Sequence, residues 1–398
     1  MVSVTAQGLR IAFFITSYRS PAQLNRLVNT LRRGEPNSPI VIHHDSFRSS
    51  LDLSQFDTIS DLHILNNDRP IVWGDMSLET TRWRVFRWIL KNIEVDWIML
   101  LSEQDYPIAP LQNLRVRLAE SGVDAFISGQ RIDEIEDIRL YGLERGGVQP
   151  CAVNRSLPKP ATPPSSPLNL GERSQGNRRL HLTWRSSVRH SPLQREDPDM
   201  RLREECIWRY LYRYANLPSL KIEHRLPDSG RKFFALWRHR FCEAVNRSQQ
   251  TIHFRMGSIE SRHGRIGLRQ RKTPFNSEFP CWMHSSWYAL SRKALQHVVD
   301  YVDSHSDFVR YYDRTEIPVE SATGTIVFND PDLRVANVSL HAIRWTNPQT
   351  GRPDVFRWDD LDFLHSTDAV FARKFDERDV YLLNELDSAV FRDFMEAP

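Results

Sequence analysis

The chain has 398 residues, of which 40% are hydrophobic and 26% charged, with eleven Trp and a formal net charge of +3. This composition excludes a disordered chain, and the length exceeds what one minimal core needs, so one large α/β domain or two smaller ones are expected. The four cysteines include no C-x-x-C pair. Their spacing argues against a zinc cluster and a disulfide scaffold, and it favours a reduced setting.

The charge is unevenly distributed along the chain. Residues 201–272 contain 17 Lys and Arg but 6 Asp and Glu, a net charge of +11, so the remainder carries −8. Such a basic region makes an anionic partner plausible. Its stretch R-K-F-F-A-L-W-R-H-R (231–240) interleaves cations with aromatic residues, as nucleic-acid binders do, but it has no known nucleic-acid-binding signature. A solvated face is the favoured interpretation, and recognition of an acidic or phosphorylated acceptor is the second.

The first predicted elements form a βαβ unit. The apolar run L-R-I-A-F-F-I-T (9–16) predicts a strand, residues 24–31 have a helical pattern, and P-I-V-I-H-H-D (39–45) predicts a second strand. Continuous apolar strands joined by a helix are typical of a parallel sheet buried on both faces. Ligands bind beyond the carboxyl ends of such strands, so S-Y-R-S (17–20) and Asp45 are placed at a candidate site.

A second strand–helix–strand group follows. L-H-I-L (62–65) predicts a strand. Ser77 is predicted to cap the helix that follows, and the three arginines of that helix, Arg82, Arg84 and Arg87, are predicted to lie off its apolar face. The clearest strand of the chain is V-D-W-I-M-L-L-S (95–102). Asp105 comes just after it, where a ligand-facing acid belongs. A further strand is predicted at A-F-I-S (125–128).

The second half begins with less regular sequence. Residues 149–168 contain six prolines, which predict a surface loop or lid. A helical pattern runs through 203–214, and two later helices are predicted at about 291–303 and at 317–326. Near the end, F-A-R-K-F-D (371–376) sets two adjacent cations between phenylalanines. That stretch alone is compatible with a solvated pair or with an anion site.

Seven of these stretches, in this order, resemble the core-2/I-branching β-1,6-N-acetylglucosaminyltransferase and peptide O-xylosyltransferase family. They cover roughly 10–130 and 280–385, and they are I-A-F-F-I-T-S-Y (11–18), I-H-H-D (42–45), V-W-G-D-M-S-L (72–78), D-W-I-M-L-L-S-E-Q-D-Y-P-I (96–108), S-S-W-Y-A-L-S-R (285–292), I-P-V-E-S (317–321) and F-A-R-K-F-D (371–376). The sequence departs from the family at Val319, where an Asp is expected, and at His284, where a Gly is expected. The segment between, about 130–280, has no counterpart.

The resemblance implies an α/β fold of the GT-A type. One continuous catalytic domain is expected, with a Rossmann-like nucleotide-sugar half at 1–130, a Pro-rich and basic insert at 131–279 that forms a lid or acceptor region, and a catalytic half at 280–398. The implied activity is an inverting, metal-independent transfer of a sugar from a UDP-sugar to a hydroxyl of a glycan, glycoconjugate or small molecule. UDP-GlcNAc is the first expectation for the donor, and UDP-xylose is the alternative.

The resemblance also implies roles for individual residues. Glu320 would be the general base, and Arg373 with Lys374 would bind the donor diphosphate in place of a metal ion, with Lys374 the firmer assignment of the two. The donor nucleotide and sugar would meet Ser17, Tyr18, Asp45, Trp73 and Asp105. The acceptor or sugar would meet Ser286 and Trp287. Each acid also has a structural interpretation: a turn for Asp45 and Asp105, and a helix N-terminus for Glu320.

Cofactors, location and partners follow from the same reading. No metal ion is expected, because Asp197–Asp199 and Asp330–Asp332, the D-x-D candidates, enclose proline and are interpreted as turns. The absence of a signal-peptide pattern and of an apolar run long enough for a bilayer predicts a bacterial-type cytoplasmic protein, or one bound at the inner membrane face. No nucleic-acid partner is expected. The alternative is a non-catalytic protein that binds nucleic acid or glycan through 201–272, and oligomeric state is not decided.

Overall fold

The computed structural model describes residues 8–132, 206–216, 240–242, 244–246, 251–255, 264–346 and 352–395. The predicted Pro-rich lid at 149–168, the D-x-D candidate Asp197–Asp199 and all of the basic stretch 231–240 except Arg240 lie outside these residues. The boundaries of the 131–279 insert therefore stay a prediction. No helix in the described ranges is both long and apolar enough to cross a membrane.

Thirteen strands are formed by the described residues. They are β1 (Ile11–Ser17), β2 (Ile40–His44), β3 (Leu62–Asn66), β4 (Trp97–Ser102), β5 (Asp105–Pro107), β6 (Ala125–Arg131), β7 (Tyr212–Asn216), β8 (Ile252–Arg255), β9 (Arg265–Arg269), β10 (Trp282–Ser291), β11 (Val335–Ala336), β12 (His341–Ile343) and β13 (Phe371–Arg373). The principal helices are α1 (Pro21–Gly34), α2 (Met76–Asn92), α3 (Leu111–Glu120), α4 (Arg292–Ser304), α5 (Ser306–Tyr312), α6 (Ala322–Asn329), α7 (Leu361–His365) and α8 (Val380–Met395).

A seven-stranded sheet forms the centre, in the order β11-β6-β10-β4-β1-β2-β3. The pairs β1–β2, β2–β3, β1–β4 and β11–β6 are parallel, and β10 alone runs antiparallel to its neighbours β4 and β6. The predicted α/β class with a mostly parallel sheet is confirmed, as are the four strands predicted before residue 103. Two small three-stranded sheets lie beside it, β12-β13-β5 and β7-β9-β8.

Both faces of the central sheet are buried. In β1, Ala12 and Phe14 belong to a core shared with α2, α4, α5 and α6, while Ile11, Phe13 and Ile15 belong to a second core shared with α1, α3, α7 and α8. Because alternate side chains of a strand point to opposite faces, a strand covered on both sides must be apolar throughout. This explains the continuous apolar runs that predicted the strands.

The structure corrects several details of the helices. The cap of α2 is Asp75, whose carboxylate accepts a bond from the Ser77 backbone N–H at 2.7 Å, and not Ser77 itself. Arg82, expected away from the apolar face, is only 1% exposed. The predicted helix at 317–326 is divided into a 3₁₀ turn, Pro318–Glu320, and α6. The pattern at 203–214 gives helix at 206–210 and then β7, because Tyr212 and its successors pair with β9.

His284 packs directly on α6. A Cβ atom added to Gly324 would lie 2.2 Å from the His284 ring, so Gly324 leaves the room that this side chain occupies. The close backbone approach that a Gly at 284 would have allowed is therefore replaced by an imidazole against a glycine. Burial lowers the pKa of His284 to about 3, so the ring is neutral.

Candidate active site

The loops that follow β1, β2 and β4 meet at the carboxyl edge of the sheet. Ser17 ends β1 and its hydroxyl lies 2.9 Å from His44 Nδ1 at the end of β2. The Asp45 backbone N–H donates to the Ser17 carbonyl at 2.9 Å. Glu103, the first residue after β4, accepts bonds from the backbone N–H groups of Tyr18 and Arg19 at 2.8 and 3.2 Å. These contacts hold the three loops in one arrangement.

Asp45 organises this edge of the sheet. One carboxylate oxygen accepts from the Phe47 backbone N–H at 3.2 Å and from the Asn67 amide at 2.6 Å, and the other lies 3.6 Å from Arg48 Nε. The bond to Phe47 is the Asx turn that the sequence left open as the structural interpretation. Asp45 is buried, and its contact with the donor nucleotide or sugar stays a prediction.

Asp105 belongs to β5 and contacts Arg373 across a strand pair. β5 and β13 are antiparallel with Asp105 opposite Arg373, and Arg373 Nη1 lies 3.2 Å from Asp105 Oδ1. The carboxylate also accepts from the backbone N–H and the hydroxyl of Ser102 at 2.7 and 3.0 Å. Asp105 is fully buried. It therefore reaches any ligand at this edge through Arg373, which it holds in place.

Arg373 is not directed to bulk solvent, as the sequence had allowed. Its side chain is 14% exposed, and its guanidinium carbon lies 4.0 Å from the ring centre of Trp287. Burial lowers the pKa of Arg373, and Asp105 opposes that change. The arginine predicted for the diphosphate and the tryptophan predicted for the sugar thus touch each other. Phe371 and Phe375 on either side are buried, as their position in the sequence suggested.

Lys374 follows Arg373 through a cis peptide bond and has a different environment. Burial, and then the charges of Arg373, Arg19 and Arg352, lower its pKa to about 8. Among the described residues, these three charges are all positive, so Lys374 belongs to a cluster of cations that we call the cation cluster: Arg19, Arg352, Arg373 and Lys374. A cluster of this kind is favourable for binding an anion with several charges. Arg19 and Arg352 were not among the predicted site residues, although Arg19 lies inside the S-Y-R-S stretch.

Aromatic side chains surround the same edge of the sheet. Tyr18 lies 5.5 Å from the guanidinium carbons of both Arg19 and Arg48. Trp73, in the loop after β3, is 62% exposed. Trp287 is half-buried beside a register break in β10 between His284 and Tyr288, and Ser286 lies within that break. Tyr288, the next residue, is buried in the core.

Glu320 ends the 3₁₀ turn before α6. Its carboxylate forms an ion pair with Arg209 at 2.9 Å, and its side chain is 14% exposed. The turn is fixed to the loop after β3, because the Ile317 backbone N–H donates to the Gly74 carbonyl at 2.8 Å. A carboxylate is favourable at this position, beside Arg209 and just before the N-terminus of α6. Arg209 was missed by the sequence, where it appeared as one of several arginines in a helical pattern.

Metal-ligating groups are not gathered at this site. Within the described residues, no cluster of three or more His, Cys, Asp or Glu side chains could hold a metal ion. Asp330 and Asp332 form a turn, as interpreted from the sequence: the Asp332 backbone N–H donates to Asp330 Oδ1 at 2.8 Å, and Asp330 Oδ2 lies 2.8 Å from His297. Three of the cysteines, Cys206, Cys242 and Cys281, are free thiols and are buried.

The sequence matches no protein-family model and no curated protein. Parts of solved structures are similar to it. Glucosyl-3-phosphoglycerate synthase from Mycobacterium tuberculosis, solved with Mn²⁺, UDP and phosphoglyceric acid, is 14% identical over 33% of this chain and 48% of its own, with a TM-score of 0.23. The galactosyltransferase LgtC, solved with donor and acceptor sugar analogues, is 11% identical over 33% of this chain and 50% of its own, with a TM-score of 0.22.

A third similar structure is the apo form of the glycosyltransferase GlyE from Streptococcus pneumoniae TIGR4. It is 13% identical over 30% of this chain and 29% of its own, with a TM-score of 0.20. The chain thus spans about half the length, or less, of these solved structures. Similarity at this level assigns neither an activity nor a ligand to the protein.

Proposed function

We propose that the protein is an inverting, metal-independent glycosyltransferase that uses a UDP-sugar. The cation cluster carries the proposal. A diphosphate leaving group develops negative charge as its bond to the sugar breaks, and fixed cations stabilise that charge without reorganisation. Arg373 is held by Asp105 at 3.2 Å, and in the described part of the chain the charges that lower the pKa of Lys374 are all positive, so Lys374 has spare positive charge to offer a ligand.

The proposed reaction is a single displacement. Glu320 removes the proton from an acceptor hydroxyl, the acceptor oxygen forms a bond to the anomeric carbon, and the bond from that carbon to the diphosphate breaks on the opposite face. The electron pair of that bond leaves with UDP, whose charge Arg373 and Lys374 would stabilise. The position of Glu320 supports this assignment: its partly exposed side chain lies on a turn fixed to the loop after β3 and pairs with Arg209 at 2.9 Å.

Trp287 supports the placement of the sugar. The Arg373 guanidinium lies 4.0 Å from the centre of its ring. The indole is thus next to the proposed diphosphate site, where an aromatic ring can pack against a pyranose. UDP-GlcNAc is the proposed donor and UDP-xylose the alternative, as the family resemblance suggests. The acceptor is proposed to be a hydroxyl of a glycan, a glycoconjugate or a small molecule.

A panel of UDP-sugars incubated with the protein in EDTA tests the donor class and the metal independence together. Release of UDP from one of them in EDTA is the expected result, and comparison of UDP-GlcNAc with UDP-xylose decides between the two donors. Turnover that appears only when Mn²⁺ or Mg²⁺ is added would exclude the metal-independent mechanism. If no UDP-sugar and no UDP raises the melting temperature, the donor class itself is wrong.

A further inference from the structure

A buried pair of charges lies between the Glu320 turn and Trp287. Glu79 and Arg82 are three residues apart on α2, their side chains are 0% and 2% exposed, and Arg82 Nη1 lies 3.7 Å from Glu79 Oε2. Neither side chain can touch a ligand while it is buried in this way. Any effect of the pair on a reaction must therefore pass through its neighbours.

Glu79 is bonded to the start of α6. Its Oε1 accepts a bond from the Thr323 backbone N–H at 3.2 Å and another from the Thr323 hydroxyl. That hydroxyl also accepts a bond from the Trp83 indole N–H at 3.0 Å. Two side chains of α2, Glu79 and Trp83, are therefore hydrogen-bonded to Thr323. Thr323 stands three residues after Glu320, in the first turn of α6. A carboxylate bonded to the N-terminus of a helix is favourable there, and it fixes the turn that carries the proposed base.

Arg82 contacts the aromatic side of the site. Its guanidinium carbon lies 5.8 Å from the ring centre of Trp287 and 6.0 Å from that of Tyr288. Trp287 is the residue that Arg373 also contacts, at 4.0 Å. A continuous set of contacts therefore runs from Thr323 through Glu79 and Arg82 to Trp287 and Arg373 of the cation cluster. Glu320 joins this set through the backbone, because it lies three residues before Thr323 in the chain.

Folding stability does not explain this pair. Among the described residues, Glu79 Oε2 and the Nε and Nη1 atoms of Arg82 have no hydrogen-bond partner. A buried ion pair whose hydrogen bonds are incomplete contributes little net stability, and apolar residues of similar volume often replace such pairs without loss. The pair does fix the distance between two parts of the site, the start of α6 next to Glu320 and the Trp287 ring on β10.

We propose that Glu79 and Arg82 are a positioning pair that couples the turn of Glu320 to the ring of Trp287. This inference rests on the proposed function, because it is the transfer reaction that requires the base and the sugar platform at a fixed separation. A small error in the placement of reacting groups costs up to about 100-fold in rate. The pair should matter for kcat and leave the binding of UDP to the cation cluster nearly unchanged.

The first test replaces both charges together, so that neither is left buried alone. In the full chain, Glu79→Leu with Arg82→Met is expected to bind UDP with a Kd within threefold of wild type by calorimetry, while kcat per UDP-binding site falls about 30-fold. The matched control is Glu35→Leu with Arg115→Met. This double substitution removes a different ion pair, which is largely buried and lies at the opposite edge of the sheet. Its kcat per binding site should stay within threefold. A kcat equal to that of the control would overturn the proposal.

The second test needs no turnover. In protein labelled with 5-fluorotryptophan, the ¹⁹F resonance of Trp287 is assigned by its loss in Trp287→Phe. Thr323→Val keeps the backbone N–H but removes the hydroxyl, and it is expected to move that resonance in the wild-type chain and leave it unmoved in the Glu79→Leu, Arg82→Met background. An equal shift in both backgrounds, or none in either, contradicts the coupling.

The kcat and the fluorine resonance distinguish a failure of the proposed function from a failure of the coupling. If the wild-type protein releases UDP from no UDP-sugar, the proposed function fails, and the fluorine measurement still decides whether the pair couples the two parts. If the double variant does not fold, Thr323→Val alone gives both the kcat and the resonance. In that case a normal kcat with an unmoved resonance overturns the coupling.

Discussion

At the scale of single residues, the two adjacent cations of F-A-R-K-F-D have different roles. Arg373 is held by Asp105 and Trp287, whereas Lys374 lies among charges of its own sign with a pKa of about 8. A lysine with this pKa loses its charge within the range in which a binding experiment can be run. The residue that the sequence favoured for the diphosphate is therefore also the one whose charge can be tested by pH.

Affinity for UDP should fall as the pH rises through 8. The diphosphate binds the protonated ammonium, so the Kd for UDP should increase above pH 8 and approach about tenfold per pH unit. At pH 7, Lys374→Ala should weaken UDP about 30-fold, which is about 2 kcal/mol. Lys374→Arg keeps its charge and should bind UDP with a Kd that is flat between pH 7 and 9. Exposed Lys91→Ala serves as the control for general charge, and a wild-type Kd unchanged from pH 7 to 9 would contradict this role of Lys374.

Glu320 and a neighbouring acid provide a matched pair of substitutions. Glu320→Gln should lower kcat by at least about 100-fold with little change in the Kd for UDP, because a general base acts on the acceptor and not on the diphosphate. Glu316, four residues earlier, forms an ion pair with Arg265 at 2.6 Å. Glu316→Gln should leave kcat within threefold. Steady-state kinetics on both variants decides the assignment, which fails if they lose equal activity.

At the scale of elements, the pairing of β5 with β13 brings residues 105 and 373 together. Three residues of each strand are in register, and the Phe375 backbone N–H then donates to the Gln104 carbonyl at 2.9 Å. The C-terminal segment is thereby fixed at the end of β4, where the parallel sheet offers its ligand-binding edge. Arg373, proposed for the diphosphate, is thus presented from a strand whose backbone hydrogen bonds set its direction, and Lys374 follows directly after that strand.

Removal of the Asp105 charge tests this arrangement. Asp105→Asn leaves Arg373 buried without a counter-charge and should lower the free energy of unfolding by about 3 kcal/mol. UDP supplies a new counter-charge, so it should raise the melting temperature of this variant by more than that of wild type. Asp61→Asn breaks an exposed ion pair with Arg10 and should cost less than about 1 kcal/mol. A smaller UDP-induced shift in Asp105→Asn than in wild type would show that the diphosphate does not meet Arg373.

At the scale of the whole molecule, buried titratable groups tie stability to pH. Burial, with Arg84 next to it, lowers the pKa of His43 to about 4, and burial lowers that of His284 to about 3. Burial raises the pKa of Glu79, which faces Arg82, Thr323 and Tyr288, to about 7. Because the two histidines bind protons only in the unfolded chain, acid destabilises the fold through them, while Glu79 binds its proton more tightly in the folded chain and opposes that effect.

Between pH 6.5 and 4.5, these three groups of the described part of the chain contribute to acid unfolding in opposite directions. Each histidine lowers the free energy of unfolding by up to about 1.4 kcal/mol per pH unit as the pH falls. Over the same range the contribution of Glu79 has the opposite sign and offsets that of about one histidine. His43→Asn should therefore remove most of the remaining slope, as measured by urea unfolding at several pH values. The exposed His365→Asn should leave the slope as in wild type. A slope that does not respond to His43→Asn would mean that this ring is protonated in the folded protein.

The sequence by itself determined the layered fold and the edge of the sheet at which the candidate site is proposed. Runs such as I-A-F-F-I and W-I-M-L-L predict strands buried on both faces, because only a covered parallel sheet gives them an apolar environment on each side. The change from apolar to polar residues at Ser17, Asp45 and Asp105 marks the edge where those strands end. Local pattern is sufficient for these conclusions, since both depend on neighbours within a few residues.

Only the tertiary structure decided which of these residues meet and in what state. Asp105 and Arg373 are distant in the chain, and nothing in either stretch specifies their pairing. Arg82 looked like a surface arginine, because helical periodicity assigns a face to a residue but not the element that covers that face. In the structure Trp287 of β10 lies over its guanidinium, and Glu79 beside it on α2 is bonded to Thr323 of α6. The spare positive charge of Lys374 depends likewise on cations from separate loops, whose distances are set by packing and are not encoded in local sequence.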